Sequence, residues 1–208
     1  MPAVESTIPA HYQGPPDAAN GGVVAGLLAA PIGPVARIRL EAAVPLATSL
    51  RVQVEDGTSA LWSGDRRLAT GQRDEGPEQP VDAVPVEVAA ATRPWSAEQH
   101  PFPNCFVCGP LAVDGLHVHP GWTPDGDAVA TTWVADVDSA GLDAERLAWA
   151  ALDCPSGIAA MKGGEAAVLG TITARINRAP VSGEELVVVG RLLGAEGRKR
   201  FAASALFD

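Results

Sequence analysis

The most constraining feature of this chain is a helix-length run that is apolar on nearly every side and carries one carboxylate. Leu147-Ala148-Trp149-Ala150-Ala151-Leu152-Asp153-Cys154-Pro155-Ser156-Gly157-Ile158 follows Asp143, a residue suited to capping a helix N-terminus. Ala, Leu and Trp cover most of its circumference, so burial on nearly every side is expected. A carboxylate in that setting must be hydrogen-bonded, neutralised or employed, because burying an unpaired charge is costly. Pro155 lacks an amide donor and clashes with the carbonyl of Ala151, so the helix is expected to stop or kink there. Asp153 is then either an acceptor for backbone groups at a broken helix end or a catalytic carboxylate.

Asp17 to Ala30 forms a second wholly apolar helix candidate, capped by Asn20 or Asp17 and closed by Pro31 and Gly33. Gly21, Gly22 and Gly26 would each weaken an exposed helix by about 1 kcal/mol relative to alanine. Their presence points to a backbone or ligand approaching closely, or simply to tight packing of helix on sheet. From Val35 the period changes to two: Val35 to Leu40, Leu50 to Val54, Ser59 to Trp62 and Arg67 to Gly71 read as strands, with turns at Asp56-Gly57 and Ser63-Gly64-Asp65. Arg73 to Asn104 is punctuated by prolines and reads as a surface linker with a short helical turn near Val86 to Ala91. Strands are expected again at Leu116 to Trp122 and Ala128 to Val134, and after the Asp153 helix at Val168 to Ile176, Leu186 to Leu193 and Arg198 to Phe207. The order helix, strands, linker, strands, helix, strands is a degenerate tandem repeat of one α+β unit. Within each unit a long apolar helix is buried by a curved antiparallel sheet wrapped around it. The expected units are residues 1–72 and 105–208, joined by the linker 73–104.

At 208 residues the chain can hide roughly 70% of its unfolded surface, enough for a sizeable core. A net charge of -10 argues against nucleic acid and against an anionic membrane surface as partners. Arg175, Arg178, Arg191, Arg198, Lys199 and Arg200 cluster near the C-terminus and read as a solvated strand face or, less commonly, a phosphate pocket. Three cysteines cannot all pair within the chain, no signal peptide is seen in Met1 to Gly14, and no uncharged stretch spans a bilayer, so a cytoplasmic protein is expected. Abundant Ala, Gly, Pro and Arg with few lysines suggest a high-GC bacterial source.

Several short motifs resemble the hotdog-fold acyl-CoA thioesterase superfamily, here as a double hotdog in one chain. Tyr12-Gln13-Gly14-Pro15-Pro16 through Asn20-Gly21-Gly22-Val23-Val24-Ala25 is similar to that family's His-Gly-Gly region, with Asn20 in the usual place of histidine. Ala29 stands where the family places its catalytic acid, whereas Leu152-Asp153 matches the acid position in the second helix and Ala144-Glu145-Arg146 replaces its His-Gly-Gly. One half therefore keeps the glycines and the other keeps the acid. Cys105-Phe106-Val107-Cys108-Gly109-Pro110, with Gly115-Leu116 beyond it, resembles a Cys-Phe-x-Cys-Gly segment of many members.

The resemblance implies an intramolecular pseudo-dimer with sheets joined edge to edge, possible pairing of whole chains, and one hybrid site for an acyl-CoA-like thioester, without cofactor. Chemistry agrees with it. Glycines at a helix N-terminus offer unpaired amides to a developing oxyanion, which suits Gly21 and Gly22 beside Asn20. No cation lies near Asp153 in sequence, since Arg146 is nearly two turns earlier and Lys162 lies beyond Pro155. Its pKa should rise, as a general base or nucleophile requires. Ser156 or Thr171 is a candidate to orient water, and Cys154 is a competing nucleophile beside the acid. The alternative is a non-catalytic acyl or CoA-type binder. A dehydratase is disfavoured because neither helix carries a histidine. Cys105 and Cys108 have spacing suited to zinc or a redox pair, with His100, His117 and His119 nearby, but a single Cys-x-x-Cys favours reduced thiols and no stoichiometric zinc.

Overall fold

The computed structural model describes residues 3–208. Strand β1 (Val4–Ser6) leads through a 3₁₀ turn to helix α1 (Gly21–Ala29), then β2 (Val35–Leu40), β3 (Leu50–Glu55), β4 (Thr58–Ser63) and β5 (Arg66–Arg73). Helix α2 (Val86–Ala90) interrupts the proline-rich stretch, and β6 (Gly121–Trp122), β7 (Val129–Val134), α3 (Val137–Ala140), α4 (Ala144–Ala160), β8 (Thr171–Arg175), β9 (Glu185–Glu196) and β10 (Lys199–Phe207) follow. The strands form two antiparallel sheets, one ordered β1-β3-β4-β5-β2-β8 and the other β10-β9-β7-β6. The fold is α+β. No helix among the described residues is long and apolar enough to cross a membrane.

Between the two candidate caps of α1, the structure selects Asn20. Its Oδ1 accepts the Val23 N–H at 3.0 Å, while Asp17 sits outside the helix at a positive φ of 59°, a conformation that aspartate tolerates in turns. The helix is thus shorter than expected, at 9 residues, and its first turn begins at the glycines. Gly22 and Gly26 lie four residues apart on one face, and that face meets α4. A Cβ on Gly22 would stand 2.7 Å from the Trp149 carbonyl oxygen, and one on Gly26 would stand 3.0 Å from Arg146 Cα. The glycines therefore admit a second helix backbone. Each helix also lies on strands, α1 on β2, β4 and β5, and α4 on β7, β9 and β10.

Helix α4 runs through Pro155 for 17 residues and neither stops nor restarts there. A proline inside a helix costs about 3 kcal/mol, so tertiary packing must hold it. Gly190 of β9 supplies the room, since a Cβ there would collide with the Pro155 carbonyl. Ser204 of β10 donates its hydroxyl to the Leu152 carbonyl at 2.6 Å.

Two strands differ from the sequence expectation. Of Leu116 to Trp122 only the last two residues are extended. His117 takes a positive φ of 56°, and the Leu116 and Val118 amides turn back to the carbonyls of Phe106 and Val107. The Cys-Phe-Val-Cys loop competes successfully for those donors. Of Val168 to Ile176, Thr171–Arg175 is strand, and it pairs with β2 of the first sheet. The two sheets share no ladder among the described residues, so they are not joined edge to edge as expected; β8, which follows α4 in the chain, instead adds to the edge of the first sheet at β2. Helix α2 occurs where a short helical turn was expected. It is no mere spacer, because Val84 and Ala89 pack with Ala128, Ala130 and Val189 of the second half.

One buried polar bond links the N-terminal segment to α3: the Tyr12 hydroxyl donates to the Ala140 carbonyl at 2.9 Å, and its ring packs edge-on against Phe106. Tyr12→Phe keeps the ring and strands the carbonyl. A loss of about 1 kcal/mol is expected, read as a lower urea midpoint with unchanged slope.

Candidate active site at the crossing of α1 and α4

The α1–α4 crossing brings the two halves of the sequence pattern together. Asp153 is 8% exposed, and its Oδ2 accepts the Gly22 N–H at 2.8 Å. The carboxylate thus caps the N-terminus of the other helix, where the dipole and unpaired amides attract negative charge, and does not close on its own helix. Burial raises the Asp153 pKa to about 7, with the Gly22 amide and Asn20 opposing the shift and Cys105 adding to it. No cation contributes: Arg146 pairs with Asp143, and Lys162 donates to the Gly126 carbonyl.

Of the two amides expected to serve an oxyanion, Gly22 is therefore already engaged. Val23 N–H is taken by Asn20 and Val24 N–H by the Asn20 carbonyl. Gly21 N–H is left without a protein partner among the described residues. Leu169 lies against Gly21, and a Cβ on that glycine would be 2.8 Å from Leu169 Cδ2 and 3.1 Å from Asp153 Oδ2. Asn20 faces two ways. While its oxygen caps α1, its Nδ2 donates to the sulfurs of Cys105 at 3.7 Å and Cys154 at 3.8 Å. Cys105 and Cys154 are 3.6 Å apart, and hydrogen bonds from the neighbouring thiols hold Cys105 well below the usual thiol range. The sequence spacing showed only the Cys105–Cys108 pair. Cys154 joins it because α4 passes the loop at the residue after Asp153, a conjunction that no local motif signals.

No family model and no curated protein sequence matches the chain. Solved structures do match in shape. The tesB protein of Mycobacterium avium subsp. paratuberculosis superposes with a TM-score of 0.63 at 11% identity, over 99% of this chain and 86% of the other. A Novosphingobium aromaticivorans protein provisionally named a thioesterase gives 0.64 at 17% identity, over 99% and 89%. An Alicyclobacillus acidocaldarius protein of unknown function with a hot dog fold gives 0.55 at 13%, over 98% and 86%. The chain has the hotdog fold.

Around this hotdog crossing, other sequence candidates fall away from the carboxylate. Ser156 donates its hydroxyl to the Asp153 backbone carbonyl at 2.8 Å, so it is committed to the helix rather than to a water. Thr171 is exposed at the start of β8. The basic residues do not converge: Arg178 pairs with Glu184 and Asp208, Arg200 with Glu165, and Arg175 with the Glu75 carbonyl. His100 is buried with Nδ1 accepting the Phe102 amide. A cavity of about 440 Å³ opens beyond the C-terminal end of α4 between Trp95, Trp122, Met161 and Lys162. Asp153 does not line it.

Proposed function

We propose that this chain is a double hotdog, with residues 1–72 and 105–208 as its units and 73–104 between them, that hydrolyses an acyl-CoA-type thioester at one hybrid site. The observation that carries this reading is the meeting of Asp153 from α4 with the glycine N-terminus of α1. In it, one helix supplies an acid with a pKa of about 7 and the other supplies one amide unpartnered among the described residues, that of Gly21. The thioester carbonyl would take the Gly21 N–H, with Asn20 holding the first turn in place. Asp153, in its ionised form, would draw a proton from water as the water oxygen attacks the carbonyl carbon. Collapse of the tetrahedral intermediate breaks the carbon–sulfur bond, and the leaving thiolate takes from Asp153 the proton drawn from water, giving the free thiol beside the carboxylic acid product and restoring the carboxylate. The names of two structural neighbours, a tesB protein and a provisional thioesterase, support this class of reaction.

A binder that holds acyl-CoA without turnover is the second reading. It is favoured by the closed contact between Asp153 and Gly22 and by a cavity beside Trp95 and Trp122 that Asp153 does not line. The two separate in one experiment on wild-type protein. Free thiol released from a panel of short, medium and aromatic acyl-CoAs is followed beside calorimetric binding. Saturable thiol release is expected from at least one panel member. Binding without release would establish the binder, and neither binding nor release would remove both.

A further inference from the structure

The three cysteines come from two distant stretches of chain, and all are buried. Their sulfurs nevertheless lie within 4.8 Å of one another, with Cys105 and Cys154 at 3.6 Å. A tetrahedral cation with metal–sulfur bonds of about 2.3 Å holds its sulfurs about 3.8 Å apart. The Cys105–Cys154 separation matches one edge of such a coordination tetrahedron, and Cys108 lies within 4.8 Å of both.

The surroundings aim hydrogen-bond donors at the sulfurs from a tightly folded loop. Cys105 opens a turn that closes at Gly109. That turn is held by the Gly109 N–H, which returns to the Cys105 carbonyl at 2.7 Å, and a Cβ at Gly109 would collide with the Cys105 backbone. Only glycine lets the loop fold this tightly. From the opposite side Asn20 Nδ2 reaches two of the three sulfurs. Hydrogen bonds of this kind orient ligand atoms and support their charge. The positive end of α1, which Asn20 caps, adds to the same effect.

We propose that Cys105, Cys108 and Cys154 together bind one divalent cation of the zinc class. Thiolate donors select zinc over magnesium or calcium, and three protein sulfurs leave one tetrahedral position for water or another small ligand. The cation ties α4, the loop around Cys105 and the α1 N-terminus into one unit beside Asp153. A Cys-x-x-Cys pair alone carries no such inference, and the third thiol from α4 reverses the sequence expectation of an empty pair. The site stands whether or not Asp153 hydrolyses thioesters.

The test uses full-length protein purified without chelator and under reducing conditions. Elemental analysis should give one zinc per chain, and zinc-edge X-ray absorption should show three sulfurs at about 2.3 Å. Chelator-stripped protein titrated with Co²⁺ should develop thiolate-to-cobalt charge transfer and tetrahedral d–d bands that saturate at one equivalent. Cys154→Ser should lose most of the charge-transfer intensity. Should that variant fail to fold, the sulfur count on wild-type protein decides alone. Absence of saturable metal, a shell of two sulfurs or fewer, cobalt spectra unchanged in Cys154→Ser, or a Cys105–Cys154 disulfide in metal-free protein would each overturn the proposal. Zinc bound with three sulfurs and no acyl-CoA turnover keeps this site and removes the hydrolase reading, and turnover without metal does the reverse.

Discussion

Asp153→Asn is expected to reduce thioester hydrolysis by about 10²- to 10⁴-fold, the usual contribution of a general base, without lowering the melting temperature. Asparagine keeps an oxygen that can accept the Gly22 N–H, so the helix crossing is preserved while the proton acceptor is lost. The sign of the stability change follows from the raised pKa. In the unfolded chain the carboxyl titrates near 3.8, and in the fold burial moves it to about 7. Its stabilising contribution is therefore complete below pH 3.8 and disappears as pH rises through 7. The difference corresponds to roughly 4 kcal/mol as an upper figure. Above pH 7 the wild type carries an ionised, buried carboxylate that the variant lacks. Calorimetry with chelator present, so that no cation at the thiols contributes, should show the variant melting higher at pH 8 and the two converging toward pH 4. Wild-type turnover should rise with pH and level off above about 7. An Asn variant with full turnover would remove Asp153 from the mechanism, whatever its stability.

Gly22→Ala sets two known effects against each other. Helix propensity favours alanine by about 1 kcal/mol. Against it, the new Cβ would lie 2.7 Å from the Trp149 carbonyl oxygen and 2.8 Å from Ala150 Cα and Asp153 Cβ. Two of these atoms are backbone of the partner helix and cannot rotate away, so α1 and α4 must separate. Overpacking of this kind costs about 1–3 kcal/mol, and we expect the upper end, a fall in melting temperature of roughly 10 °C. Gly157→Ala is the comparison. That glycine lies in α4 with nothing within 4 Å of its added Cβ, so propensity acts alone and the variant should be more stable. If Gly22→Ala also stabilised the protein, the close crossing described above would be wrong.

Much of this could be read in one dimension because it depends on neighbours along the chain. A polar cap at Asn20 or Asp17 for α1, the alternating strands from Val35 to Gly71, the short helix near Val86 and the burial of the Asp153 helix follow from side-chain period and from donors within three or four residues, while the packing chose Asn20 as the cap. The raised Asp153 pKa was accessible for the same reason: an apolar helix without a nearby cation makes the charged form costly wherever that helix packs. Contacts between distant segments decided the rest. Pro155 stays inside α4 because Gly190, far along the chain, leaves room for it. Residues 116–120 are not strand because their amides turn back to the carbonyls of the Cys105 loop. The last-third strand Thr171–Arg175 extends the first sheet, since the exposed edge of β2 offered unpaired backbone groups. The Gly22 amide is engaged rather than free because a carboxylate 131 residues away meets it end-on. Cys154 joins Cys105 and Cys108 only where α4 crosses their loop. Local periodicity determines which residues are buried; which buried polar groups face each other is set by the packing of helices and sheets.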